Sequence, residues 1–232
     1  MSNYKVYYFD FSSPGIKNNL LERESKTIKK QKFEPSYSNC PVWKHRNNRT
    51  FIVTSPIDVE FFSDGNTINL MIDGVSVQNP WKYVEIERND IFLDNPTLQF
   101  KFPNYFFWTE NKNVWIEYLD HPLTSLNNNF ITLGGWFNIS NYPRGTSLAA
   151  QIVDKTKPLK IKKGDPLVRI RFFSDNFDDG IKLEKITNTN IIQSKVKECE
   201  ENQKTIRGGN PIRNKILFGK FSECPFKFLH RK

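Results

Sequence analysis

The sequence predicts a mainly β protein: an antiparallel β-sandwich or jelly-roll-like domain with a short C-terminal helix. About ten short segments rich in β-branched and aromatic residues recur roughly every 8–12 residues, separated by Pro, Gly and Asp-Gly turn signals. Strand and helix patterns do not alternate along the chain, which argues against a parallel α/β sheet. The chain has 232 residues and is 14% aromatic, with 20 Phe, so it can bury a sizeable core.

The strand candidates follow one another through most of the chain. Residues 4–9 form the first, and a hairpin over 57–72 is expected to turn at Asp64-Gly65-Asn66. Gly134-Gly135, inside a strand pattern, indicates a bulge or a close approach of two backbones. The remaining candidates are 50–56, 97–103, 106–119 (two strands around a turn at 110–113), 129–140, 146–154, 159–173 and 182–186.

The segment LKIKKGDPLVRIRFF (159–173) predicts two strands hinged on the turn Gly164-Asp165-Pro166. Its second half alternates apolar and charged residues, which is typical of a strand packed on one side, with Arg169 and Arg171 on the outer face. The cationic residues of this segment are the expected binding residues: Lys160, Lys162, Lys163, Arg169 and Arg171.

A helix is expected over 187–206, where apolar residues recur at helical spacing before Gly208-Gly209. Trp108, Trp115 and Trp136 lie in strong strand patterns, so all three are predicted to belong to the core.

Charge divides the chain into three parts. The net charge of +9 is distributed as +6 over residues 1–50, −3 over 51–192 and +6 over 193–232. We expect a basic N-terminal arm (1–39), a β-sandwich core (40–186) and a basic C-terminal extension with the helix (187–232). Basic arms suit an acidic protein face or nucleic acid, but they also simply solvate chain ends, and no base-reading motif accompanies them.

Catalytic candidates are sparse. Asp120 and His121 lie in a polar segment between strands, and Asp165 lies in the predicted turn. They are the residues that a cupin-like or dUTPase-like enzyme acting on a small molecule or nucleotide would use. A cupin metal site needs two or three converging His residues with a carboxylate, and the three His of this chain are far apart. Enzymatic activity is therefore the alternative interpretation.

No cofactor is expected, and zinc is the alternative. Cys40 with His45 and Cys224 with His230 form two Cys–His pairs of short spacing, which together offer four zinc ligands, although the spacings differ from those of standard fingers. Three cysteines are too few for a disulfide framework, so reduced thiols are expected.

No membrane association is expected. No apolar run approaches the roughly 20 residues that span a bilayer, and the N-terminus MSNYKVYYFDFSS lacks the pattern of a signal peptide. The chain is therefore expected in the cytosol of the cell that makes it.

Three stretches carry a family resemblance: NCPVWKHRNNRTFIVTSPIDVEF, FKFPNYFFWTENKNVWIEYLDHPLTSLNNNFITLGGWFNISNY and VDKTKPLKIKKGDPLVRIRFF. Over roughly residues 39–186 the chain resembles an uncharacterised protein family of T4-like tailed phages that infect marine cyanobacteria, and more distantly bacterial proteins of unknown function. The resemblance implies a protein of the host cytoplasm or the virion. It supplies no catalytic residues, because the family has no established activity.

The leading hypothesis is a phage-encoded, non-catalytic protein that acts as a binding or structural component through surface contacts. A viral or host protein is the expected partner. A nucleic-acid-binding accessory protein that uses the basic arms is the third interpretation, and it predicts affinity that falls steeply with salt. Homo-oligomerisation is open, since Phe-rich edge strands favour pairing whereas lysines on the 159–163 strand protect an edge.

Overall fold

A computed structural model describes residues 3–10, 22–23, 42, 46, 48–63, 68–87, 97–121, 128–175 and 180–207 of the chain. Within them the protein is mainly β with a C-terminal helix, which confirms the predicted fold class. The helix is α1 (Thr189–Arg207). The strands are β1 (Asn3–Asp10), β2 (Glu22–Arg23), β3 (Thr50–Thr54), β4 (Val59–Ser63), β5 (Ile68–Ile72), β6 (Val75–Ser76), β7 (Val84–Glu87), β8 (Thr97–Trp108), β9 (Trp115–Asp120), β10 (Phe130–Thr132), β11 (Gly135–Asn138), β12 (Arg144–Ile152), β13 (Leu159–Ile161), β14 (Pro166–Phe173) and β15 (Gly180–Lys185).

The described strands form three sheets. The first has the order β10-β12-β8-β1-β15, with β7 beside one half of β8. The second has the order β11-β9-β14-β3-β2, and the third β13-β4-β5-β6. Neighbouring strands are antiparallel except β1 and β15, which are parallel. Rings from the first two sheets meet in the core: Phe107 of β8 lies 5.7 Å from Phe172 of β14 in an edge-to-face contact.

Period-two patterning places the core residues as the sequence predicts. Val168, Ile170 and Phe172 on β14 are buried, while Arg169 and Arg171 between them are half-buried. The hairpin expected over 57–72 is present as β4 and β5, whose residues Phe61 and Leu70 face each other, although its turn at 64–66 lies outside the described residues.

The first strand lies deep in the molecule. β1, within the stretch assigned to a basic arm, pairs with β8 on one side and β15 on the other. Val6 is fully buried, and the ring of Phe9 stacks on that of Phe106 with centroids 4.9 Å apart. These residues are therefore part of the folded core.

The two strands and the turn predicted over 159–173 are present, but the strands do not pair with each other as a hairpin. β13 pairs with β4 in the third sheet, whereas β14 pairs with β3 and β9 in the second. The Gly164-Asp165 turn passes the chain from one sheet to the other, with Gly164 at φ +91°. The backbone of Ser55 holds this turn, because its carbonyl accepts from Gly164 and its N–H donates to the carbonyl of Asp165, both at 2.8 Å.

Two of the three tryptophans predicted in the core are there. Trp108 and Trp115 are buried, but the prediction for Trp136 was wrong, since its side chain is 38% exposed. The physical reason is the position of this residue in the sheet. β11 lies at the end of the second sheet, and Trp136 lies on the same face as its cross-strand partner Glu117, opposite to the buried Phe137.

The predicted helix is present as α1 and packs on the sheets. Ile192, Val196 and Ile206 pack against the hydrophobic core, and Cys199 is part of it. The Asn188 side chain caps the helix by accepting the N–H of Asn190 at 3.0 Å. Among the described residues, no helix combines the length and apolar character needed to cross a bilayer.

Candidate functional site

A cleft of about 440 Å³ lies between the first and second sheets. Its apolar lining includes Tyr105 and Leu148 from the first sheet and Val53, Val168 and Ile170 from the second. Residues 132–137, where the chain passes from β10 to β11, supply another wall. The cleft is therefore an opening in the sandwich where the two sheets separate, with side chains of both layers around it.

Arg144 is the central polar feature of this cleft. It opens β12 opposite Phe107, so it projects from the same face as that ring, toward the second sheet. Its guanidinium carbon lies 5.3 Å from the ring centroid of Phe137 and 5.7 Å from that of Tyr142. The aromatic faces stabilise the cation by cation–π attraction. Among the described residues, no carboxylate forms an ion pair with Arg144, which is half-buried.

Gly134 brings two backbones together beside the cleft. A Cβ added at this position would lie 2.8 Å from the carbonyl oxygen of Tyr118. This close approach confirms the interpretation of the Gly134-Gly135 pair. It places the ring of Phe137 on β11 parallel to that of Tyr118 on β9, with centroids 6.4 Å apart. The two stacked rings form an aromatic wall next to Arg144.

Four of the other polar side chains of the cleft, those of Gln99, Ser147, Thr132 and Glu85, are bonded within the protein. The amide of Gln99 donates to the Ser147 hydroxyl at 2.7 Å, and the Thr132 hydroxyl donates to the carbonyl of Leu167 at 3.1 Å. Glu85 forms an ion pair with Lys101 at 2.9 Å. These groups therefore have partners within the protein, whereas the described contacts of the Arg144 guanidinium are with aromatic rings, which leave its positive charge uncompensated.

Helix α1 closes one side of the cleft through Gln203. The Tyr142 side chain is buried beside Gln203 and Cys199 of this helix, and burial raises the pKa of Tyr142. Burial also raises the pKa of the Cys199 thiol, although the backbone of Gly145 and the charge of Arg144 act in the opposite direction. The helix thus fixes the ring on which the Arg144 guanidinium rests.

The predicted catalytic residues lie near the start of β14. Asp120 pairs with Val168, and Asp165 immediately precedes the strand. The Asp120 carboxylate accepts the N–H of Thr132 at 2.9 Å. The Asp165 carboxylate accepts from the backbone of Lys162 at 2.8 Å and the side chain of Asn128 at 3.2 Å. His121 is buried at the end of β9. Both carboxylates therefore stabilise local structure: Asp120 binds the backbone of β10, and Asp165 binds the turn before β14 and the side chain of Asn128.

The predicted binding residues fall on different sheets. Lys160 lies on β13 and pairs with Glu60 at 3.1 Å, while Lys162 and Lys163 are exposed in the turn. On β14, the Arg171 guanidinium donates to the Glu117 carboxylate at 2.9 Å and lies 4.7 Å from the Phe173 ring. The Nε of Arg169 donates to the carbonyl of Asp120 at 3.1 Å. The predicted binding residues therefore form two separate groups. Lys160, Lys162 and Lys163 lie on β13 and the turn after it, and Arg169 and Arg171 lie on β14.

The zinc candidates Cys40, His45, Cys224 and His230 lie outside the described residues. Within the part of the chain that is described, no group of three His, Cys, Asp or Glu residues could hold a metal ion. Zinc binding by these four residues therefore stays a prediction from the sequence.

Sequence reasoning missed Arg144. The residue follows Tyr142-Pro143 at a strand start, and no motif surrounds it. What makes it distinctive is its position beside Phe137, which depends on β11 and β12 being placed in facing sheets.

No protein-family model matches the chain, and no curated protein matches it either. The case for a function therefore depends on the side chains and their geometry.

Proposed function

We propose that this chain is a phage-encoded, non-catalytic β-domain protein that acts as a binding or structural component through surface contacts with a viral or host protein. The observation that carries the proposal is the Arg144 cleft. It offers a cation without an ion-pair partner among the described residues, held on the rings of Phe137 and Tyr142 beside apolar walls. Aromatic residues and arginine are the side chains most enriched where proteins bind one another strongly.

The structural roles of the candidate catalytic residues support a non-catalytic function. A general acid or base needs an atom free to exchange a proton with a substrate. One oxygen of each carboxylate, Oδ1 of Asp120 and Oδ2 of Asp165, accepts a backbone N–H group and so stabilises β10 and the β13–β14 turn respectively. Cleft groups such as Gln99 and Thr132 are likewise hydrogen-bonded inside the protein.

The setting in a phage follows from the resemblance of residues 39–186 to a family of T4-like cyanophages. A contact protein of this origin would act in the host cytoplasm or in the virion. Its partner would be either another virion protein or a host protein.

Quantitative mass spectrometry of nuclease-treated virions and of infected-cell lysate, combined with chemical cross-linking, tests the proposal. We expect the protein either at a fixed copy number in virions or in a complex of fixed stoichiometry in lysate. Turnover of a defined substrate by the pure protein that disappears in a His121→Gln variant would instead establish an enzyme. Affinity for nucleic acid that falls steeply with salt would favour the accessory role.

A further inference from the structure

We propose that the Arg144 cleft recognises a carboxylate on a segment of the partner protein, with an apolar side chain next to that carboxylate packed in the cleft. This inference rests on the proposed function and names the chemistry that the partner must carry. The carboxylate would pair with the Arg144 guanidinium, and the apolar side chain would contact the wall formed by Phe137 and Tyr118.

The charge of the cleft favours a single carboxylate. Arg144 is its one cationic lining residue in the described part of the chain, and the acidic lining residue Glu85 is already neutralised by Lys101. The cleft therefore presents a net charge close to one positive unit. A monoanion matches this charge, whereas a phosphate group with nearly two negative charges needs further cations that the lining lacks.

The geometry of Arg144 also suits a carboxylate. A guanidinium presents parallel N–H donors that bind both oxygens of a carboxylate at once. Phe137 and Tyr142 hold this guanidinium, and the Tyr142 ring is itself buried in the protein at 3% exposure. Since the donor is fixed before the partner arrives, little side-chain entropy is lost on binding.

The cleft has the size and lining for one or two residues of the partner. Its volume of about 440 Å³ lies in the usual range of ligand sites, roughly 300–1,000 Å³. Val53, Val168 and Ile170 form the floor of the cleft and are at most 4% exposed. The apolar surface open to an aromatic or branched aliphatic side chain comes from Leu133 and Tyr118, which are half-buried. Trp136, at 38% exposure, adds an aromatic surface at the lining.

The test uses small probes and the full chain. N-acetyl-phenylalanine carries a free carboxylate beside an aromatic ring, and N-acetyl-phenylalanine amide differs from it by the loss of that charge. Protein-observed NMR titration should show that the acid binds at least about tenfold more tightly than the amide, because only the acid can form a charge-assisted hydrogen bond with both partners ionised. Phenyl phosphate tests the choice of anion, and we expect it to bind no better than the acid.

A second pair of probes identifies the source of the carboxylate. N-acetyl-phenylalanine imitates a chain end, whereas N-acetyl-aspartyl-phenylalanine amide presents the carboxylate on a side chain. Tighter binding of the first points to the partner's C-terminus, and tighter binding of the second points to an internal acidic residue. Either result supports recognition of a carboxylate beside an apolar group.

Substitutions of Arg144 test whether the probes bind at the cleft. Arg144→Gln should abolish the preference for the acid, and Arg144→Lys should weaken it, because an ammonium lacks the paired donors. Lys182→Gln is the matched control: Lys182 is exposed on β15, at the opposite end of the first sheet, and its loss should leave affinity unchanged. Near-UV circular dichroism verifies folding, and Arg144→Lys carries the test if Arg144→Gln fails to fold.

The failure of this inference is distinct from the failure of the proposed function. Equal binding of acid and amide, equal binding by Arg144→Gln and the native protein, tighter binding of phenyl phosphate, or no binding of any probe would overturn carboxylate recognition. If an Arg144→Gln protein still forms the complex found by cross-linking, the binding function stands and the cleft is not its site. If the acid binds but no complex is found, the proposed partner is wrong and the carboxylate site stands.

Discussion

Gly134 and the carbonyl oxygen of Tyr118 approach each other so closely that a Cβ at residue 134 would lie 2.8 Å from that oxygen. The contact occurs where the chain leaves the first sheet after β10 and enters the second as β11, whose Gly135 is paired with Tyr118. The constraint is one of space, because the obstructing atom belongs to the backbone of β9 and cannot rotate away. The glycine therefore sets how β11, and the Phe137 ring on it, lie beside the cleft.

Replacement of Gly134 by alanine should destabilise the protein. The methyl group would push β11 away from β9, and overpacking of this kind typically costs about 1–3 kcal/mol. Gly135→Ala is the matched control, since a Cβ there meets no atom within 4 Å. Its effect should stay within about 0.5 kcal/mol. Urea unfolding of both variants measures the difference, and equal stabilities would show that β11 adjusts freely.

The sequence predicts local features of this fold better than its long-range pairing. Strand positions and buried faces follow from alternation, as in Val168, Ile170 and Phe172, and the Gly134-Gly135 pair correctly indicated a close approach. Alternation does not specify which strand pairs with which. The 159–173 segment therefore reads as a hairpin, although Ser55, more than a hundred residues earlier, bonds its turn.

The same limit explains why the cleft was not predicted. Arg144 and Phe137 are only seven residues apart, but their contact requires β11 and β12 to lie in different sheets that face each other. The exposure of Trp136 also depends on β11 lying at the end of its sheet. Neither property leaves a periodic signal in the sequence.

Asn138 should be essential for the turn that follows β11. The residue is fully buried, and its side-chain carbonyl accepts the N–H groups of Ser140 at 2.9 Å and Asn141 at 3.2 Å. Asn138→Ala leaves both donors without this acceptor, which should cost about 1–3 kcal/mol. Asn141 is exposed, and Asn141→Ala keeps its N–H, so that change should cost less than about 0.5 kcal/mol.

Chemical denaturation measures the free energy of unfolding of Asn138→Ala and Asn141→Ala, and so tests whether the side chain of Asn138 stabilises the turn by hydrogen bonding. A loss confined to Asn138→Ala supports the hydrogen-bonding role. A loss below about 0.5 kcal/mol in Asn138→Ala would mean that the two N–H groups find other acceptors, and the hydrogen-bonding role would be wrong.

Asp165 should contribute to stability through its turn. Asp165→Ala removes the acceptor of the Lys162 N–H and of the Asn128 side chain, and we expect a loss of about 1–2 kcal/mol. Lys162→Ala retains the backbone donor and removes an exposed side chain, so it should change stability by less than about 0.5 kcal/mol. Thermal and urea unfolding measure both variants. Unchanged stability in Asp165→Ala together with loss of a substrate's turnover would support the enzymatic alternative instead.

Cys199 should be an unreactive thiol in the folded protein. It is only 5% exposed, and burial raises the pKa of its thiol above 9.0, so both access and thiolate formation are suppressed. In a Cys40→Ser, Cys224→Ser background, reaction with an aromatic disulfide reagent at pH 8 should be at least about 100-fold slower in buffer than in denaturant, since modification must wait for the helix to open. Rapid reaction in buffer would mean that α1 separates readily from the sheets.

The same thiol predicts how stability changes at high pH. Because the folded pKa of Cys199 is raised, the folded state keeps its proton above pH 9.0 while the unfolded state loses it. The unfolded state then binds fewer protons, so the free energy of unfolding should fall as the pH rises through 9. Tyr142, Tyr8 and Tyr105, whose pKa values burial also raises, act in the same direction as the pH approaches 10, where their hydroxyls would ionise in the unfolded chain. The contribution of the thiol is the difference between the native protein and Cys199→Ala in unfolding measured between pH 8 and 10, and the variant should show a flatter dependence in this window. An equally steep decline in that variant would assign the effect to other groups.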